Sequence, residues 1–174
     1  MKFMTTNVKI TNLASIAIKQ TAEELNEKYG ADSIHGFALC TDDAVGSIFP
    51  AVCTKAWIAE EKPDYEEIGE VYVEWTEPFD ETPFDDLSNL LCDACINENE
   101  EEFGKRRDER FGALVEALRQ SRDRVDFKAD VLLCIGSTDP EDRMEELTMK
   151  AVDALNLKHV ADKFASSLGY EHHR

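Results

Sequence analysis

The sequence predicts a single α+β domain in which helices cover a mostly antiparallel sheet of about four strands. The first observation is length, because 174 residues favour one domain around one hydrophobic core. The second is periodicity: segments with apolar residues at helical spacing alternate with shorter β-type segments, in the order α-β-β-β-α-α-β-α-α. The third is continuity, since no internal repeat and no Gly/Ser/Pro-rich linker divides residues 1–174.

The first element is predicted to be a helix that begins at Thr11 or Asn12 and ends near Tyr29. Threonine and asparagine side chains cap helix N-termini because they accept hydrogen bonds from the first free N–H groups. Gly30 follows the helix, and glycine commonly ends a helix in the left-handed conformation.

Two hairpin strands are predicted next, over residues 33–41 and 46–54, around a turn that contains the aspartates at 42–43. Aspartates are common in turns because their side chains accept hydrogen bonds from nearby backbone donors. Pro50 cannot donate to a sheet, which places the second strand at an edge or a bulge. Alternation over residues 71–75 predicts a third, half-exposed strand.

The second half of the chain is predicted to be mostly helical. Helix starts are indicated at Thr82, Asn99 and Asp139, where a capping side chain precedes a proline or an acidic residue of the first turn. The continuous apolar run over residues 131–135 predicts a strand that is buried on both faces. A last helix ends before Gly169.

The net charge of −18 is concentrated in one segment. Residues 60–102 contain 17 acidic side chains and one basic side chain, Lys62, whereas the rest of the chain contains 20 acidic and 18 basic ones. A negative protein repels phosphate backbones and anionic lipid headgroups, so we expect no direct binding to nucleic acid or to a membrane surface. The expected partner is a basic protein.

The acidic segment also contains large aromatic residues. Charge runs are often only solvated faces, but aromatic anchors inside a charged rim are typical of protein interfaces. We predict Tyr72, Trp75 and Phe79 as the anchors of a partner-binding face. The charged residues predicted to surround them are Glu70, Glu74, Glu77, Asp80, Glu81, Asp85 and Asp86.

Cysteine and histidine offer the few candidates for catalysis. Cys92 and Cys95 form a C-x-x-C that could act as a redox pair or as half of a zinc site. It lies inside a predicted helix without a second pair, so we expect core thiols instead. Cys40 and Cys53 could form a nucleophile with His35, although nothing in the sequence sets their geometry. We assign no catalytic residue, metal ligand or cofactor.

No apolar stretch approaches the roughly 18 residues that a membrane span requires. Polar residues also interrupt the N-terminal apolar stretch where a signal peptide would have its core. We therefore expect a cytoplasmic protein.

One part of the sequence resembles a known family. Residues 36–43, Gly-Phe-Ala-Leu-Cys-Thr-Asp-Asp, and residues 48–51, Ile-Phe-Pro-Ala, followed by Thr54, resemble a family of small bacterial proteins known only as a domain of unknown function. Members of that family have an F-A-L-Y-T-D-D strand and turn and then a P-A-x-N-T strand. This chain has Cys40 in place of the tyrosine and Cys53 in place of the asparagine.

Residues 73–75, Val-Glu-Trp, followed by Phe79, resemble the aromatic, acid-rich middle of the same family. The resemblance implies a bacterial cytoplasmic protein. Some members occur near contact-dependent or secreted toxin genes, which implies an immunity role. It transfers no catalytic residue.

These observations favour an acidic binding protein. The leading hypothesis is an immunity-type inhibitor whose residues 60–102 dock on a basic toxin or effector domain such as a nuclease, aided by electrostatic steering. One alternative is a small thiol- or zinc-dependent enzyme that uses the cysteines named above with His35. Another is a DNA mimic, whose carboxylates imitate phosphates.

Overall fold

The computed structural model describes residues 2–61, 80–124, 126–138 and 142–168. They form one α+β domain with six helices and a three-stranded mixed sheet, in the order α-β-β-α-α-α-β-α-α. The elements are α1 (Lys2–Tyr29), β1 (Ile34–Thr41), β2 (Ile48–Thr54), α2 (Lys55–Glu61), a 3-10 turn (Thr82–Phe84), α3 (Asp85–Ile96), α4 (Glu100–Asp123), β3 (Leu132–Ser137), α5 (Asp142–Leu155) and α6 (Lys158–Ser167).

The sheet has the strand order β2-β1-β3, with β1 antiparallel to β2 and parallel to β3. The prediction of a mostly antiparallel sheet is therefore wrong. Parallel strands cannot be joined by a tight turn, and here α3 and α4 lie in the connection that leads to β3. The apolar run of β3 correctly predicted burial, since all six of its residues are buried, but such a run carries no signal for strand direction.

The number and order of elements also differ from the prediction. The strand predicted over residues 71–75 lies outside the described residues. Helix α2 follows β2 directly and was not predicted from the sequence. Thr54 caps it, because its Oγ1 accepts a hydrogen bond from the Trp57 N–H at 3.1 Å. A helix of seven residues is too short to show a clear apolar period.

Helix α1 begins at Lys2, well before the predicted start at Thr11 or Asn12. The hydroxyl of Thr11 does not cap a helix but donates to the carbonyl oxygen of Ala113 in α4 at 3.1 Å. Ser15, one turn later, donates to Gln120 at 2.8 Å. Thr11 therefore joins two packed helices, although threonine is a residue type that often caps a helix. A contact between distant segments cannot be predicted from one segment of sequence.

Other predicted boundaries agree with the structure. Gly30 follows α1 with φ +81°, as expected for a glycine that ends a helix. Asn99 caps α4 through a hydrogen bond from the Glu102 N–H to its Oδ1 at 3.0 Å. Pro50 lies in the edge strand β2. The prediction that Thr82 caps a helix is wrong, because Thr82 is the first residue of the 3-10 turn, and the N-cap residues of that turn and of α3 form no side-chain cap to a described residue. The start predicted at Asp139 lies outside the described residues.

Two apolar clusters fill the two faces of the sheet. On one face Phe37 and Leu39 of β1 pack in a cluster with residues of α1, α3 and α4. On the other face Ala38 and Cys40 pack in a cluster with residues of α5 and α6, including Phe164. Because β1 is central and buried on both faces, the hairpin turn that follows it is held at one end of a rigid sheet.

Candidate partner-binding surface

The structure describes four of the ten residues predicted to bind a partner. Asp80, Glu81, Asp85 and Asp86 are all exposed around the 3-10 turn and the first turn of α3. Hydrogen bonds from Thr82, chiefly from its side chain, hold the pKa of the Asp80 carboxyl below its usual value. The other predicted residues, Glu70, Tyr72, Glu74, Trp75, Glu77 and Phe79, lie outside the described residues.

The described part of the acidic segment forms a continuous corner of the molecule, which we call the acidic corner and define as residues 80–102. It comprises the 3-10 turn, α3 and the first turn of α4. It contains nine acidic side chains and no lysine or arginine. Eight of the nine are exposed: Asp80, Glu81, Asp85, Asp86, Asp93, Glu100, Glu101 and Glu102.

An exposed apolar residue lies within the acidic corner. Ile96, the last residue of α3, is 74% exposed, whereas Leu87 and Leu91 of the same helix are fully buried. Ile96 follows Leu87 by nine residues, which at about 100° per residue places it on the opposite side of the helix. Ile96 was not predicted from the sequence as a contact residue, although this spacing is a signal that indicates its exposure.

The ninth acidic residue of the corner, Glu98, is buried in an ion pair. It precedes α4, and its carboxylate accepts hydrogen bonds from both terminal nitrogens of Arg110, with only 3% of the arginine side chain and 8% of the glutamate side chain exposed. The Nη2 of Arg110 also donates to the carbonyl oxygen of Ala44 at 2.7 Å. Arg110 therefore joins α4, the α3–α4 connection and the β1–β2 turn.

The β1–β2 turn is shaped by its own aspartates, as predicted. Asp42 accepts hydrogen bonds from the Gly46 N–H at 2.9 Å and from the Ser47 hydroxyl at 2.7 Å. Asp43 accepts a hydrogen bond from Ser137 at the end of β3 at 2.7 Å. Because both carboxylates accept hydrogen bonds from other parts of the fold, the Asp-Asp sequence that follows β1 has a structural role.

The turn is also held tightly against α3. Val45 is fully buried with φ +52°, a conformation that is costly for a β-branched residue and persists only where its surroundings impose it. A Cβ added at Gly46 would lie 2.9 Å from the Sγ of Cys95, so any other residue there would force the Cys95 side chain to shift. The Cys95 thiol in turn donates to the carbonyl oxygen of Ala44 at 3.6 Å.

A cleft of about 620 Å³ opens beside this buried ion pair. It lies between the N-terminal part of α1, the second half of α3 and the first turns of α4. Its lining includes Arg110 and Glu98 themselves, together with Asp93 and Ala94 of α3. This volume falls in the range of ordinary ligand pockets, roughly 300 to 1,000 Å³.

The environments of Cys40 and Cys95 disfavour the thiolate form that a nucleophilic cysteine requires. Burial raises the pKa of Cys40 to about 12 and also raises the pKa of Cys95, so both thiols stay protonated at neutral pH. Burial lowers the pKa of His35, a half-buried residue of β1. Within the described ranges no group of three or more His, Cys, Asp and Glu side chains could hold a metal ion.

Cys40, Cys53 and Cys134 are buried, whereas the expectation of a core thiol is wrong for Cys92, which is exposed. Cys92 directly follows Leu91, whose side chain points into the core, so a helical turn of about 100° carries the next side chain toward solvent. Cys95 lies between these extremes, half-buried against the β1–β2 turn.

The difference in thiol environment predicts selective labelling. In the native protein at neutral pH, Ellman's reagent should react quickly with Cys92 alone, because it is the exposed thiol of the described residues. A Cys92→Ser variant should lose the fast phase, and the buried thiols should react only in denaturant. Fast native labelling of Cys40 would instead support a reactive thiol and the enzyme alternative.

The buried ion pair predicts a large effect of one substitution. Arg110→Met should lower the free energy of unfolding by about 3–5 kcal/mol, because it leaves the buried carboxylate of Glu98 without a partner. The matched control is Arg119→Met on the same helix, whose side chain is 52% exposed and pairs with Glu116, and which should cost no more than about 1 kcal/mol. Urea unfolding measures both, and equal losses would contradict the account.

Comparison with known proteins agrees with the resemblance seen in the sequence. No curated protein and no solved structure matches the chain. In the described part of the chain, no helix has the length and apolar character to cross a membrane. The family described as Domain of unknown function (DUF4303) matches residues 15–157, which include the β1–β2 hairpin, the acidic corner and β3. The chain belongs to this family.

Proposed function

We propose that the protein is an acidic binding protein whose acidic corner docks on a basic protein partner. The observation that carries the proposal is the set of exposed carboxylates without any lysine or arginine over residues 80–102. The highly exposed Ile96 within them supplies an apolar contact. An apolar anchor with a charged rim is the arrangement that protein interfaces use.

The pairing of charges supports the proposal. Elsewhere the exposed charges largely neutralise one another: Arg119 pairs with Glu116 and Asp123, for example, and Lys150 pairs with Glu146. Seven carboxylates of the acidic corner form no ion pair with any described residue: Asp80, Glu81, Asp85, Asp86, Asp93, Glu100 and Glu101. A concentrated and uncompensated negative field attracts a basic surface and speeds its association.

The specific form of the proposal is a cytoplasmic, immunity-type inhibitor of a basic toxin or effector domain such as a nuclease. The aromatic residues predicted from the sequence, Tyr72, Trp75 and Phe79, would extend the same interface. A DNA mimic would use the same carboxylates against a nucleic-acid-binding protein, so identification of the partner separates these two forms.

Capture of the partner tests the proposal directly. A photo-crosslinking residue placed at Ile96 in the full chain should capture a basic protein in the native cell. The same residue at Ile16, an apolar side chain of α1 that is 56% exposed, is the matched control. Absence of any species specific to the Ile96 position would contradict the proposal.

Charge reversal then tests whether the acidic corner attracts the captured protein. Asp85→Lys, Glu100→Lys and Glu101→Lys together should slow its association at least tenfold at low salt and reduce the salt dependence of the rate. The control variant, with Glu27, Asp142 and Asp153 changed to lysine, has the same net charge but alters exposed sites elsewhere. Equal rates for the two variants, both checked for folding by thermal unfolding, would overturn the proposal.

A further inference from the structure

The cleft beside the buried ion pair has the chemistry of a site for a cation. Four carboxylates, Asp93, Glu98, Glu102 and Glu109, and two guanidinium groups, Arg106 and Arg110, line it. The lining therefore has an excess of two negative charges. A cation that enters this cleft is attracted by that excess, whereas an anion is repelled.

Both arginines already bind carboxylates. Arg106 donates to Glu109 at 2.9 Å and to Glu102 at 3.4 Å, and Arg110 donates to both oxygens of Glu98. An anionic ligand would have to compete with these pairs. Asp93, in contrast, is exposed and forms no ion pair with a described residue, so its carboxylate is available to a positively charged group.

The remaining lining fits a long basic side chain. Leu90 and Ala94 provide apolar surface, and the side-chain amide oxygens of Asn97 and of Asn99, which also caps α4, provide further acceptors. Basic side chains bury their methylene stems against apolar surface while the charged end reaches polar groups. Several separate acceptors suit the five N–H donors of a guanidinium better than the compact ammonium of lysine.

One lining residue of the cleft, Arg110, has a buried donor without an acceptor. Only 3% of Arg110 is exposed, and its Nε has no acceptor among the described residues. A buried N–H without an acceptor is costly. This nitrogen is shielded from solvent, so a carbonyl oxygen of an entering segment reaches it only if the Arg110 side chain shifts. The cleft of about 620 Å³ has room for more than one side chain.

We propose that this cleft receives a basic side chain, of arginine in preference to lysine, from the partner that docks on the acidic corner. This inference rests on the proposed function and adds the specificity of the interface. The exposed carboxylates attract the partner from a distance, and the cleft selects one residue of it.

The test titrates the full chain with N-acetyl-arginine methylamide and with its lysine counterpart, and follows backbone amide shifts by NMR. The arginine compound should shift the amides of Ala94, Asn97 and Asn99, with a lower apparent Kd than the lysine compound. Asp93→Asn should raise the apparent Kd for arginine about tenfold, the factor expected for loss of a charged hydrogen bond. The matched control, Asp153→Asn at an exposed site of α5, should leave the Kd unchanged.

Two outcomes would overturn the inference. One is absence of shifts at the cleft with the arginine compound. The other is an equal response to arginine and lysine that Asp93→Asn does not change, which would show general attraction to the carboxylates. Either outcome leaves the proposed function intact, because that proposal depends on the capture and charge-reversal results at Ile96, Asp85, Glu100 and Glu101.

Discussion

The buried ion pair between Arg110 and Glu98 is the interaction on which the rest of this structure depends. One guanidinium group joins the long helix α4 to the connection that precedes it and to the turn after the central strand, which lies 66 residues away in sequence. Removal of water from both charges is expensive, so such a pair persists only where geometry and additional hydrogen bonds compensate. The bond to the Ala44 carbonyl is one such compensation, and it fixes the turn that holds Val45 at positive φ.

The same pair determines how the remaining negative charge is presented. Glu98 is turned inward, while its neighbours on α3 and on the first turn of α4 face solvent. Since α3 packs against the turn through Cys95 and Gly46, the backbone that carries much of the acidic corner is held against the rest of the domain. A backbone held in this way favours recognition of one complementary surface, because less conformational entropy is lost on binding. This is the physical link between the core of the domain and its proposed function.

Local features were predictable from sequence and long-range features were not. Glycine at the end of α1, asparagine at the start of α4 and the apolar run of β3 each act through nearby backbone, so their signals survive in a single segment. Other features depend on residues that folding brings together. These are the direction of β3, the start of α1 before Thr11 and the hydrogen-bond partners of Arg110. The acidic segment is evident from composition, whereas the cleft and the inward orientation of Glu98 exist only in the folded chain.

Hydrogen exchange of individual amides tests most directly whether Arg110 stabilises the β1–β2 turn and the acidic corner. The N–H of Val45 donates to the backbone carbonyl oxygen of Asp42, and the N–H of Gly46 donates to the Asp42 side chain, so both report on the turn. The N–H of Glu98 donates to the backbone carbonyl oxygen of Cys95 and reports on the end of α3. The account predicts that Arg110→Met accelerates exchange at all three together, while amides of the central strand β1 keep their protection. Faster exchange confined to α4, with the turn amides unchanged, would contradict it.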